Sequence, residues 1–126
     1  MKLDNPFRHL KEYAGELEGR LSRLGVKFDN EELLRRAESF LELLDARQEF
    51  SGYSPRNLAK YVIAQCFPKE SGSLNSKSIA LHHLLLPESI YDELQLKRNG
   101  VNNKMRREGK EPNLYAQDIK LHRIFY

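Results

Sequence analysis

The densest run of residues able to do chemistry lies near the carboxyl end. Lys97, Arg98, Asn99, Asn102, Asn103, Lys104, Arg106, Arg107 and Lys110 fall within one short stretch. Lys and Arg suit phosphate oxygens, Arg suits guanine edges, and Asn suits adenine edges. The run therefore carries the chemistry of nucleic-acid contact. The competing reading is a charged, solvated helix end, where Lys and Arg also offset the helix dipole. Charge distribution sharpens the choice. The net charge of the chain is only +3, but from Lys97 onward eight bases face three acids, a local +5, while the first 96 residues sum to −2. Such asymmetry points to an anionic partner.

Other reactive residue types are sparse. His82 and His83 are adjacent, so on a helix they point in different directions and share a metal poorly. One of them is expected to pack against the neighbouring leucines and the other to face water. Cys66, the single cysteine, sits in the most apolar stretch and suits a small core residue better than a nucleophile. Glu12, Glu16 and Glu18 lie on the polar side of a helical pattern, as surface charge does. There is no Gly-rich phosphate loop and no tryptophan. These features predict no catalytic residues, no metal, no cofactor and no small-molecule substrate, and hence a protein that is not an enzyme. Among the tyrosines, Tyr61 is expected to be buried with its hydroxyl at an edge. Tyr91, beside the basic run, is the better candidate for binding.

The elements that must hold these residues are helical. Asn5 can cap a first helix with Pro6 in its first turn, and Phe7, Leu10, Ala14, Leu17, Leu21 and Leu24 form an apolar stripe that ends at Gly25. The stripe has a heptad look, so it serves either the core or a coiled-coil partner. A second helix starts at Asp29 or Asn30, with Glu31–Arg35 and Glu32–Arg36 as pairs on its exposed face. Ser54 and Pro55 open a third helix, Leu58 to Cys66 make it the most buried one, and Pro68 stops it. Asn75 or Ser76 can cap a short fourth helix running to Leu85, and Pro87 can start a fifth. At Gly100 two outcomes are open: one helix continues through it, or the chain turns and a sixth helix begins. The expectation is an all-α, compact bundle of five to six helices in one domain spanning 1–126.

By the third helix the order of features is familiar. Asn5-Pro6 opens a helix that ends at Leu24-Gly25. A second helix carries Ala37 and an apolar end from Leu41 to Leu44. Gly52-Tyr53-Ser54-Pro55 leads into a buried helix that ends Ala64-Gln65-Cys66. This order over 5–67 resembles one cyclin-box repeat of the transcription factor B family of general transcription factors. The chain departs from it in having Lys60 and Tyr61 in the central helix, a single repeat and no zinc ribbon. The resemblance implies a helix-turn-helix over 75–110 that can face DNA. Leu114, Ile119, Leu121, Ile124 and Phe125 predict that the tail, 111–126, packs on the body. Two framings fit it: Ser76–Leu85 followed by Pro87–Arg98, or a turn at Lys97–Gly100 with GVNNKMRREGK as the recognition helix.

The expected function is a DNA-binding or transcription-associated module whose partner is double-stranded DNA. The alternative is a helical protein–protein interaction adaptor without nucleic-acid contact. It would use a groove around the third helix and the first helix's stripe, with a homodimer through the first helix as a variant. The single cysteine points to a reducing compartment. The polar start MKLDNPFRHLKEY and apolar runs no longer than Leu84–Leu86 predict a cytoplasmic protein without membrane contact.

Overall fold

The computed structural model describes residues 5–68 and 74–115. Those residues form five helices: α1 (Pro6–Ser22), α2 (Asn30–Asp45), α3 (Pro55–Cys66), α4 (Ser76–Ser78) and α5 (Glu88–Arg107). A 3-10 turn, Gln48–Phe50, follows α2, and a π-helical turn, Ile79–His83, extends α4.

The starts follow the capping chemistry. The Asn5 side chain accepts from the Phe7 N–H at 2.7 Å, Asp29 from Glu32 at 3.1 Å, Ser54 from Asn57 at 3.1 Å and Asn75 from Ser78 at 2.8 Å. Each cap satisfies one backbone donor that the first turn leaves open. Gly25 ends the α1 segment with φ +78, a left-handed conformation that suits glycine. There the Val26 N–H returns to the Leu21 carbonyl at 2.9 Å and the Gly25 N–H to Ser22 at 3.0 Å. That pair of bonds is a Schellman ending.

Helices α1, α2 and α3 pack against one another, and α3 also touches α4, its π turn and α5. Contact on so many sides explains why α3 is the most buried helix: every residue from Leu58 to Phe67 is buried except Lys60. Cys66 belongs to this core. The α1 stripe is committed to it as well, since Leu10, Ala14, Leu17 and Leu21 are at most 1% exposed. A coiled coil through that stripe would have to open the bundle, and Leu24, at 64% exposure, lies beyond the buried set. The α3 groove expected for an adaptor is likewise filled by neighbouring helices.

Three details differ from the sequence reading. Arg35 reaches Glu32 rather than Glu31, so Glu32 receives both Arg35 and Arg36 and its carboxyl sits below the usual range, chiefly through the Arg35 bond. The fourth helix is one α turn and a π turn, not a regular helix to Leu85. The wider turn lets consecutive Ile79 and Ala80 both enter the core, and Leu85 leaves it in a left-handed conformation at φ +58. Finally, α5 runs straight through Gly100. The framing with a turn at Lys97–Gly100 and a separate recognition helix is therefore overturned. Tyr91, Leu94, Val101 and Asn102 lie along one buried side of α5, and that continuous face holds the helix together across the glycine.

Gly100 is exposed, and a Cβ placed there would meet nothing within 4 Å. Gly100→Ala is expected to raise unfolding stability by about 0.5–1 kcal/mol, because alanine loses less backbone entropy in a helix. Urea denaturation checks this, and a loss of stability would contradict an unbroken helix.

Candidate nucleic-acid interface

The candidate residues lie on α5 and the turn after it, and the packing of α5 divides them. Arg98 is half-buried against α3, where its Nη1 donates to Gln65 Oε1 at 2.7 Å. Asn102 is 3% exposed; its Nδ2 donates to the Leu114 carbonyl at 3.2 Å and its Oδ1 accepts from the Leu114 N–H at 3.1 Å. Both are corrections to the candidate set: their polar atoms hold the fold and do not face a partner. Lys97 is half-buried, with its ammonium 5.4 Å from the centre of the Tyr53 ring. The remaining six, Asn99, Asn103, Lys104, Arg106, Arg107 and Lys110, are exposed.

Tyr91 is a further correction. It is 5% exposed and its hydroxyl accepts from Gln65 Nε2 at 2.9 Å, so it cannot stack on a partner. Its ring stands edge-on to Tyr61, 5.7 Å away, and the buried Tyr61 hydroxyl meets Gln95. Burial pushes both phenols up from their ordinary range. Gln65, Tyr91, Tyr61, Gln95 and Arg98 thus form one polar seam between α3 and α5. The seam fixes the rotation of α5 and with it the side that meets solvent.

That outer side is electrically split. Its first half carries Glu88, Asp92 and Glu93, and its second half Lys104, Arg106 and Arg107. Lys77 bridges Glu88 at 2.9 Å and Asp92 at 3.3 Å, while Glu93 takes the Tyr53 hydroxyl at 3.1 Å. A DNA-reading helix usually presents its N-terminal residues to the bases. Here those positions would repel phosphate, which leaves the C-terminal half of α5 as the part suited to an anion. Between Asn99 and Lys110 the only carboxylate is Glu108, 3.5 Å from Lys110.

Past α5 the chain turns back at Gly109, φ +75, where the Lys110 N–H bonds to the Met105 carbonyl at 2.8 Å. The two-way Asn102 clamp then pins Leu114 under the helix. Arg106 spans the gap, with Nη1 donating to Asn103 Oδ1 at 2.8 Å and Nη2 to the Tyr115 hydroxyl. Arg106, Lys110, Glu111, Pro112 and Tyr115 line a cleft of about 390 Å³. Only the fold-back brings Glu111, Pro112 and Tyr115 beside Arg106, a placement that no local spacing signals. Residues 116–126, including Lys120 and Arg123, lie outside the described residues.

Asn102→Ala should release the segment after Gly109. Because the freed Leu114 amide can find water, the cost should be about 1–2 kcal/mol, the range for a lost pair of partly replaceable hydrogen bonds. Hydrogen exchange checks it: the Leu114 amide should lose its protection while α3 amides keep theirs. Unchanged protection at Leu114 would refute the clamp.

His82 is exposed and His83 half-buried, its imidazole held neutral more strongly than usual by burial and then by Arg20. No group of three or more His, Cys, Asp or Glu among the described residues is placed to hold a metal ion. No described helix is long and apolar enough to cross a membrane. Comparisons with protein-family models, curated proteins and solved structures found no match.

Proposed function

We propose that the protein binds nucleic acid, with double-stranded DNA as the partner, through the C-terminal half of α5 and the turn that follows it. The observation that carries this reading is the group of four exposed cations, Lys104, Arg106, Arg107 and Lys110, with Glu108 the one carboxylate in the same stretch of chain and with Glu49 near Lys104 and Glu111 beside Arg106 from outside it. Asn99 and Asn103 lie one turn apart on the same exposed side, and their amides suit base edges. The backbone of a duplex offers the phosphates that such cations neutralise. The resemblance of the first three helices to a transcription factor B repeat agrees with a transcription-associated role. The placement of the acids modifies the mode: the helix meets DNA by its end, not by insertion of its first turns.

Titration with duplex DNA at several salt concentrations tests the reading. Affinity should fall steeply as salt rises, since each neutralised phosphate releases counterions. Binding that is absent at low salt, or flat with salt, would sink it. An adaptor role would need an apolar anchor, and the exposed large apolar residues among those described, Leu24, Leu85 and Leu96, sit on three different segments of the chain.

A further inference from the structure

We infer that Arg47 and Lys104 form a phosphate seat that the protein's own Glu49 carboxylate fills, and that a nucleic-acid phosphate replaces this carboxylate on binding. The inference rests on the nucleic-acid reading above and carries its contact surface from α5 onto the turn after α2.

The geometry is that of an anion site with the anion built in. The Glu49 carboxylate accepts from Arg47 through both oxygens, from Nε to Oε1 at 3.3 Å and from Nη2 to Oε2 at 3.2 Å. A guanidinium grips a phosphate by the same two-point fork. Lys104 acts on the same carboxylate from α5, against which the 3-10 turn packs. The Glu49 carboxyl sits below its usual range, chiefly through the Arg47 bond, next through its own backbone N–H, with the charges of Arg47 and Lys104 adding to them. Two cations from separate elements thus converge on one carboxylate. A phosphodiester carries the same single negative charge, so the exchange leaves the charge of the seat unchanged.

The carboxylate is held loosely and its surroundings firmly. Both bonds to Arg47 are longer than the roughly 2.7–2.9 Å of a strong charged pair. The Arg47 and Glu49 side chains are 29% and 35% exposed, so solvent reaches the pair and weakens it. The backbone around them is pinned. The Arg47 N–H bonds to the Leu44 carbonyl at 3.0 Å, the Phe50 N–H bonds to the Arg47 carbonyl at 3.2 Å, and Phe50 lies in the core. Only the Glu49 side chain has to swing, and a cleft of about 440 Å³ lined by Ala46, Arg47, Gln48 and Glu49 adjoins it. Asp45, two residues before Arg47, opposes an anion at this corner, so the seat needs both cations.

Nuclear magnetic resonance on the whole chain tests the exchange. The Arg47 Nε–H and Glu49 carboxyl signals would be followed as a short DNA duplex is added at low salt, and separately as inorganic phosphate is added in a non-phosphate buffer. With the duplex both signals should move, and the Glu49 carboxyl should titrate closer to the ordinary carboxylate range once Arg47 has left it. Glu49→Gln should tighten the duplex by about two- to fivefold, the scale of an exposed ion pair. Glu42→Gln, the same change of charge on α2, should alter it by less than about twofold, as screening allows. Adding Arg47→Ala should abolish the gain from Glu49→Gln. Because the readout is a gain, a misfolded variant cannot mimic it. An equal gain with and without Arg47 would overturn the seat. Duplex shifts at Arg106 and Arg107 with Arg47 and Glu49 still would overturn the seat and spare the nucleic-acid reading. Movement of Arg47 and Glu49 with inorganic phosphate alone would keep the seat, assign it to free phosphate and overturn that reading. Stillness everywhere would overturn both.

Discussion

Replacing Lys104, Arg106 and Arg107 together by alanine is expected to weaken binding of duplex DNA at low salt by about two orders of magnitude, and to reduce the slope of log affinity against log salt by about three. The three side chains are exposed in the last turn of α5. If each neutralises one phosphate, each contributes close to one unit of slope, so affinity and slope should fall together. The fold should tolerate the change. Exposed substitutions are usually within about 0.5 kcal/mol of neutral, and losing the favourable charge at the helix end adds a few tenths. Fluorescence anisotropy over a salt series reads both quantities, and circular dichroism confirms that the helices persist. A variant that binds DNA with undiminished affinity and slope would move the interface elsewhere. Neutralising the acids in the first half of α5 is a useful contrast: Glu88→Gln and Asp92→Gln should change binding little, because at about 1.5 Å of rise per residue they lie farther along the helix from Lys104 than exposed charges act through salt water.

Gln65→Leu is expected to destabilise the fold by about 2–4 kcal/mol, whereas Gln65→Leu combined with Arg98→Met should return to within about 1 kcal/mol of the starting protein. The reason lies in the direction of the bonds. Arg98 can only donate, so the amide oxygen of Gln65 must face it, and the Gln65 N–H₂ is thereby turned toward the Tyr91 hydroxyl. Gln65 is 7% exposed, and Arg98 Nε is buried without a hydrogen-bond partner among the described residues. Leucine at 65 would leave the guanidinium with still fewer partners in a half-buried place and strip Tyr91 of its donor. Removing the charge as well removes the penalty, since an apolar pair of similar size can pack there. Urea unfolding of the two single variants and the double variant gives the coupling. Additive effects would show that the seam between α3 and α5 is not a connected network.

Much of the fold was legible in the sequence because it rests on local chemistry. Asn5, Asp29, Ser54 and Asn75 cap helices because an Asn, Asp or Ser oxygen reaches a backbone N–H two or three residues away, whatever the rest of the chain does. Pro6 and Pro55 suit first turns for an equally local reason. The apolar spacing of α1, α2 and α3 predicts which faces are buried, and the core follows it. Where a rule left two outcomes, packing chose: Asp29 over Asn30 as cap, and one helix through Gly100 over two. Arg35 turned to Glu32 where the four-residue spacing predicts Glu31.

The candidate interface was legible as a composition but not as a surface. Sequence placed nine polar residues in one run; it could not divide Arg98 and Asn102, which hold α5 and the returning chain, from Arg107 and Lys104, which face water. Helical spacing sets the angle between side chains along α5, but the rotation of that helix on α3 is fixed by long-range bonds from Gln65 to Tyr91 and Arg98. By the same logic Tyr91 turns inward and Tyr115, beyond the helix, comes to stand beside Arg106. The residues alone determined α1 to α3, the caps that open α1 to α4, the buried stripes and the excess of positive charge, because those depend on groups a few positions apart. Tertiary structure alone decided which charges remain at the surface and which neutral oxygens orient Arg106, because hydrogen bonds between residues such as Gln65 and Arg98, or Asn102 and Leu114, form only once the chain has brought distant segments together.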